Sequence, residues 1–367
     1  MNLFNKIRGQ HRALEMLHSV IDNNKIGGSY LFYGPEGVGK YTTALYFAMA
    51  INCLEEDKPC GTCYSCKKFL SFSHPDFIYL FPTPNMKFQL DGSIKEEKFL
   101  KEYESFLASR RQTPWNTYTF SQKTELRVDA VRMLIHRISF SPNEAKYRIC
   151  LLEAVDLMNR TTANAFLKTL EEPPPNTIML LTSSRPDFLL PTILSRCRKV
   201  PFLPLSVIDI QNELLEEHGV EAMQARVFAR LASGNMEKAL QLLESGNTES
   251  RADANELKEL IVAHDDLGFM DFLGKLRQKP PSWLYEVIIH LQISLADIAF
   301  FEHNQEYLVN IDRTHLIEMM YHKYPNIDEN IWEEIRFLED CQKKLKGNVN
   351  SQLILIEIYN RFCELFC

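Results

Sequence analysis

Seven residues, Gly34-Pro35-Glu36-Gly37-Val38-Gly39-Lys40, follow a short apolar run (Tyr30 to Tyr33) and precede a helical segment from about Lys40 to Asn52. That order suits a phosphate-binding loop. Glycines let backbone N–H groups curl round phosphate oxygens, the helix N-terminus adds a partial positive charge, and the lysine adds a full one. The next position of such a loop carries Ser or Thr, whose hydroxyl ligates Mg²⁺. Here it is Tyr41, a phenol on a long rigid arm, and Thr42 follows one residue later, about 100° further round the helix. The nucleotide-binding candidates are therefore Gly34, Gly37, Gly39, Lys40 and Thr42. ATP and Mg²⁺ are expected to bind weakly or not at all.

A second constellation lies just downstream. Cys53, Cys60, Cys63 and Cys66 form the spacing C-x6-C-x2-C-x2-C. Four thiolates at such spacing suit a closed tetrahedral Zn²⁺ site of structural type, with no open position for catalysis. An iron–sulfur cluster fits less well, because nothing else in the chain points to redox work. The site lacks the His ligands and recognition helix of a DNA-reading finger. The other five cysteines, Cys150, Cys197, Cys341, Cys363 and Cys367, are scattered and read as small hydrophobes or idle thiols.

The elements that must position these groups alternate between strand and helix over the first two hundred residues. Strands are expected at Tyr30 to Tyr33, Asp76 to Phe81, Tyr147 to Leu152, Thr177 to Thr182 and Lys199 to Phe202. Helices are expected at Gln10 to Ile21, Lys40 to Asn52, Asp129 to Ile138 and Thr161 to Glu171, the last closed by Pro173-Pro174-Pro175. That alternation predicts an α/β domain with a parallel sheet covered on both faces. Residues 83–124 look like an insertion. Phe99, Leu100, Tyr103, Phe106 and Leu107 make an amphipathic stripe there, read as packing on its own domain. Arg110-Arg111, followed by Trp115 and Tyr118, reads as solvated surface rather than a nucleic-acid patch. Beyond Pro204 helical periodicity dominates, 249–256 reads as a linker, and helices are expected near Ser282 to Phe301, Asp328 to Leu345 and Ser351 to Phe366.

Length and charge bound the rest. A chain of 367 residues implies two or three domains. A net charge of −7 argues against a protein that grips DNA alone. No uninterrupted apolar run reaches about 18 residues and the start has no signal-peptide character, so a cytoplasmic protein with no membrane contact is expected.

The loop and the four cysteines together resemble the bacterial DNA polymerase III clamp-loader ATPase family. The likeness extends to Asn164-Ala165-Phe166-Leu167-Lys168-Thr169-Leu170-Glu171-Glu172-Pro173-Pro174, which is similar to that family's signature helix. It extends also to Ser195-Arg196-Cys197, similar to its arginine-finger motif, and to Asn348-Val349-Asn350-Ser351-Gln352-Leu353 of its collar. The resemblance implies a RecA-like AAA+ domain at 1–203 with the zinc module at 53–66, a helical lid at 204–250 and an all-α collar at 255–367. By family spacing the metal-binding and water-activating acids fall on Glu153 and Ala154, and the lid arginine falls on Glu237. Ala154 cannot orient water and Glu237 would repel phosphate, so the resemblance implies a subunit of the polymerase III holoenzyme without ATPase activity of its own. Arg196 would act in trans on a neighbour's ATP. The implied partners are gamma/tau and delta clamp-loader subunits, the sliding clamp and, through the complex, primer-template DNA. The alternative is an ATP-hydrolysing gamma/tau-type motor subunit.

Overall fold

The structure is a computed structural model that describes residues 2–94, 96–112, 120, 124–244, 249–275, 279, 283–301, 308–323, 327–346 and 350–365. Trp115, Tyr118, Gly246, Asn247, Asn348, Val349 and Cys367 lie outside the described residues. The chain divides into two units, residues 1–218 with 232–238, and residues 219–231 with 239–367.

The first unit runs α1 (His11–Asp22), β1 (Gly28–Tyr33), α2 (Lys40–Ile51), α3 (Tyr64–Leu70), β2 (Phe77–Leu80), α4 (Glu97–Gln112), α5 (Val128–Ile138), β3 (Arg148–Leu152), α6 (Arg160–Glu171), β4 (Thr177–Ser183), α7 (Pro191–Leu194), β5 (Cys197–Pro201) and α8 (Val207–Glu216). The five strands form one parallel sheet in the order β2-β3-β4-β1-β5. Strands β2, β3 and β4 are buried at every position, as expected where helices cover both faces. Side chains alternate across the sheet. Tyr30, Phe32, Ile149, Leu151, Ile178 and Leu180 face the core that contains α2. Leu31, Cys150, Leu152, Met179 and Leu181 face the core built with α5 and α6. Helix α2 is buried at all twelve positions, which is why its sequence is apolar all round rather than on one stripe.

One buried ion pair ties the sheet edge to the loop before β3. Asp76 accepts backbone N–H bonds from Asn143, Glu144 and Ala145 at 2.6, 2.8 and 2.9 Å. Arg148 Nη2 lies 3.3 Å away, and Arg148 also donates to the carbonyls of Arg137, Phe140 and Ser141.

The insertion leaves and returns at one point, where Thr83 and Glu125 exchange backbone hydrogen bonds at 3.1 Å each. Its helix α4 lays Phe106 and Tyr103 on Phe81, with ring centroids 4.0 and 5.3 Å apart. The stripe thus packs on its own domain as expected, although Leu100 stays exposed.

The second unit is helical: α9 (Ala222–Leu231), most of α10 (Met236–Glu244), α11 (Glu249–Ala263), α12 (Asp266–Lys275), α13 (Trp283–Phe300), α14 (Thr314–Lys323), α15 (Ile327–Lys346) and α16 (Ser351–Leu365). Its core gathers Leu257, Ile261, Phe272, Val287, Leu291, Leu338, Ile354 and Ile358. Among the described residues α13 is the one helix long and apolar enough to cross a membrane. Its Leu284, Val287, Ile288, Leu291, Leu295 and Ile298 are buried in this core.

The linker expected at 249–256 is not one; it is the first half of α11. Two of its charges, Arg251 and Asp253, are buried and paired instead of solvated. Arg251 reaches Asn310 and Asp312 at 2.9 and 2.6 Å, and Asp253 accepts from Lys279 and Trp283 Nε1 at 2.9 and 2.7 Å. Cys150, Cys197 and Cys341 are buried and Cys363 is half-buried, in keeping with their reading as packed thiols.

Candidate functional site

The loop lies between the end of β1 and the start of α2, at the carboxyl edge of the sheet. Two of its glycines are dictated by close contacts. At Gly34 (φ +148°) a Cβ would lie 2.2 Å from the Phe202 carbonyl oxygen, and at Gly37 (φ +66°) it would lie 1.7 Å from Asn235 Oδ1. Gly39, also left-handed, caps α2. The turn 235–237 is fastened to the loop by the Met236 N–H, which donates to the Gly37 carbonyl at 2.9 Å, while Asn235 Oδ1 accepts locally from the Lys238 N–H at 2.9 Å.

Lys40 does not reach outward. Its ammonium donates to the Gly34 carbonyl at 2.8 Å and to the Pro35 carbonyl. Burial pulls it down to about 8, against the attraction of Glu36, Asp156, Glu153 and Glu237. Tyr41 is buried in the first turn of α2, and burial holds its phenol well above the usual range, so it stays neutral and offers a cation no anionic ligand. Thr42 is buried in the same turn.

At the end of β3, Glu153 is already engaged. One carboxylate oxygen pairs with Arg110 Nη2 at 2.8 Å and the other accepts the Tyr79 hydroxyl. Ala154 follows in a left-handed conformation (φ 51°, ψ 54°), its N–H donating to Thr182 Oγ1 at 3.0 Å. Glu237 is half-buried nearby. Burial raises its carboxyl to about 7, with Arg110 pulling the other way. Gly34, Gly37, Gly39, Lys40, Thr42, Glu153 and Glu237 thus cluster at one edge of the first unit. Their residues do not fit a bound Mg²⁺, because Tyr41 supplies no short hydroxyl and both Glu153 oxygens are taken.

Arg196 is elsewhere. The register pairs Cys197 with Ser29 at the start of β1, whereas the loop follows Tyr33 at its end. Roughly 15 Å of strand separates them. In this chain Arg196 Nη2 pairs with Glu171 Oε1 at 3.0 Å and Nη1 donates to the Thr192 carbonyl at 3.1 Å.

The four sulfurs of Cys53, Cys60, Cys63 and Cys66 lie within 4.8 Å of one another, and Cys60 and Cys66 are 3.9 Å apart. Cys63 caps α3 by accepting the Cys66 N–H at 3.4 Å. Burial opposes ionisation of Cys60, but the N–H groups of Cys63 and Thr62 aimed at its sulfur bring the thiol below its ordinary range. The cluster can hold a metal ion.

A family profile described as "DNA polymerase III, delta subunit" matches residues 9–206, more than half of the chain. DNA polymerase III subunit delta' of Bacillus subtilis is 27% identical over 94% of this chain and 93% of its own length. The chain belongs to the delta-prime family of DNA polymerase III clamp-loader subunits. The delta-prime protein of Pseudomonas aeruginosa is 29% identical over 64% of this chain and 63% of its own length. Bacillus subtilis subunit tau is 27% identical over 74% of this chain but only 42% of its own length. The parallel sheet flanked by helices is the α/β arrangement expected from the sequence.

Three residues that hold the groups of this site, Arg110, Tyr79 and Asn235, were not singled out from sequence as partners, nor was Glu171, which pairs with the distant Arg196. Arg110 belongs to a pair that reads from sequence as solvated surface, and it is instead a partly buried partner of Glu153. The signal was its place one turn after Phe106, on the packed face of an amphipathic helix. Tyr79 carried a weaker one, a phenol within a buried strand that needs a hydrogen-bond partner.

Proposed function

We propose that this chain is the stator of its clamp loader, a subunit that does not hydrolyse ATP and that supplies Arg196 to the nucleotide of an adjacent motor subunit. The observation that carries the reading is the position of Arg196, at the opposite end of the sheet from the chain's own loop. A guanidinium there cannot serve its own phosphates, yet it stands at the edge of the unit where a neighbour's could reach it. The chain's own site lacks a carboxylate at Ala154 and has Glu153 already paired, which supports a site without turnover.

In this reading the chain assembles with gamma/tau and delta subunits, and the motor subunits use ATP to open the sliding clamp and place it on primer-template DNA in the cytoplasm. The three-part division, with the AAA+ domain at 1–203, a lid at 204–250 and a collar at 255–367, belongs to the same proposal. So does zinc in the four-cysteine cluster. Zn–S bonds of about 2.3 Å set tetrahedral sulfurs roughly 3.8 Å apart, close to the Cys60–Cys66 separation. Zinc there would cross-link the end of α2 to α3.

The deciding experiment is DNA- and clamp-stimulated ATP turnover by a reconstituted loader carrying Arg196→Ala in this chain only. The expected result is a loss of at least about tenfold with the complex still assembled. Unchanged turnover would leave the chain a scaffold and its arginine-finger role wrong. ATP hydrolysis by the purified chain alone would make it a motor.

A further inference from the structure

The two positions that would share a divalent cation in an active loop of this kind are Tyr41, after the loop lysine, and Glu153, at the end of β3. In this chain one cationic side chain touches both. Arg110 pairs with Glu153 at 2.8 Å, and its guanidinium carbon lies 4.5 Å from the centre of the Tyr41 ring, a cation–π contact. Tyr79 closes the group from below, donating to the second Glu153 oxygen while its ring lies 5.4 Å from that of Tyr41. Arg110 is 13% exposed and Glu153 18%, so water screens the pair little.

Arg110 does not come from the sheet or from the loop. It is delivered by α4, the helix of the insertion, which is anchored by Phe106 on Phe81 and tied at its base by Thr83 and Glu125. Lys40, the other cation of the site, is turned onto the loop carbonyls, and Asn235 fills the space beside Gly37.

We propose that Arg110 is a built-in replacement for the divalent cation, and that the insertion closes this chain's nucleotide site from within. The guanidinium supplies the positive charge that Glu153 would otherwise take from a metal, and it occupies the ground where a metal and the phosphates of a nucleoside di- or triphosphate would meet. The site is shut because its metal position is permanently filled by the protein, in addition to having lost the groups that turn nucleotide over. This rests on the reading of 34–40 as a phosphate loop without turnover.

The test is fluorescence titration of the full chain with mant-ADP, in EDTA and in Mg²⁺, for the wild type, Arg110→Met and Arg110→Lys. Methionine keeps an unbranched stem that reaches as far as the arginine Nε, but removes the guanidinium with its charge and its contact on Tyr41. The wild type should bind no nucleotide in either condition. Arg110→Met should gain affinity by about tenfold or more, because the open form of the site is no longer a rare state. Arg110→Lys, which keeps a cation on Glu153, should stay closer to the wild type, and its melting curve and metal content serve as the folding control should Arg110→Met misfold. A folded Arg110→Met chain with no gain, or Arg110→Lys opening the site as far as methionine does, would overturn the proposal. Mg²⁺-dependent binding by the wild type would overturn it too. ATP hydrolysis is measured on the same samples, so that a wild type that binds without turnover refutes the closure alone and leaves the stator reading standing.

Discussion

Cys66 has no exposed surface, and burial pushes its thiol well above the ordinary range. A buried thiol of that kind ionises when a metal takes the proton's place. Cys66→Ser is therefore expected to lower bound zinc from close to one ion per chain to near none, measured by elemental analysis of the purified protein. It should also destabilise the unit that contains α2 and α3. A wild-type chain that purifies without metal and melts identically with and without chelator would remove the site. The neighbouring phosphate loop teaches the complementary lesson. Its glycines, its lysine and the unsuitable Tyr41 were all legible in the order of residues. The partners of Glu153 were not, because Arg110 and Tyr79 lie 43 and 74 residues away in the chain and only the fold brings them together.

Among the elements, the loop before β3 depends on Asp76. Burial alone would raise this carboxyl, but the N–H groups of Glu144, Ala145 and Asn143, with Arg148, outweigh it and hold the group below the usual carboxylate range. A depressed carboxylate stabilises the fold fully above its unfolded pKa of about 3.9. That contribution is lost as the pH falls through the lower folded value. Asp76→Asn leaves Arg148 buried without its counter-charge and is expected to cost about 3 kcal/mol at pH 7. The gap between variant and wild type should narrow below pH 4, as urea melts at pH 7 and pH 3 would show. Equal gaps at both pH values would mean that the charge of Asp76 does not matter. The same physics explains the misread segment at 249–256. Periodicity and polarity distinguish a solvated stretch from a core only when charges stay in water, and Arg251 and Asp253 are instead buried against Asp312 and Lys279. Strands β1 to β4 were readable because apolar runs bounded by turns have few other uses, whereas β5 carries the exposed Arg198 and Lys199 and starts two residues before the expected Lys199.

At the scale of the whole molecule, the sheet with its two covering layers and the helical unit each have their own core. Calorimetry is expected to resolve two unfolding transitions, and zinc chelation should lower only the one that belongs to residues 1–218. A single transition that moves as a whole on chelation would show that the two units unfold together. The change from alternating strands and helices to helices alone beyond Pro204 was visible in the sequence. That 232–238 groups with the first unit was not, since it depends on the hydrogen bond between Met236 and Gly37.

The register of the sheet also sets an order in time. β1 is complete by Tyr33, but its neighbours β4 and β5 end at Ser183 and Pro201. A ribosome adding about 5–20 residues per second needs on the order of ten seconds to make the strands between which β1 belongs. Throughout that interval Tyr30, Leu31, Phe32 and the wholly apolar face of α2 wait without their partners. A segment that ends deeply buried is thus among those left exposed longest during synthesis.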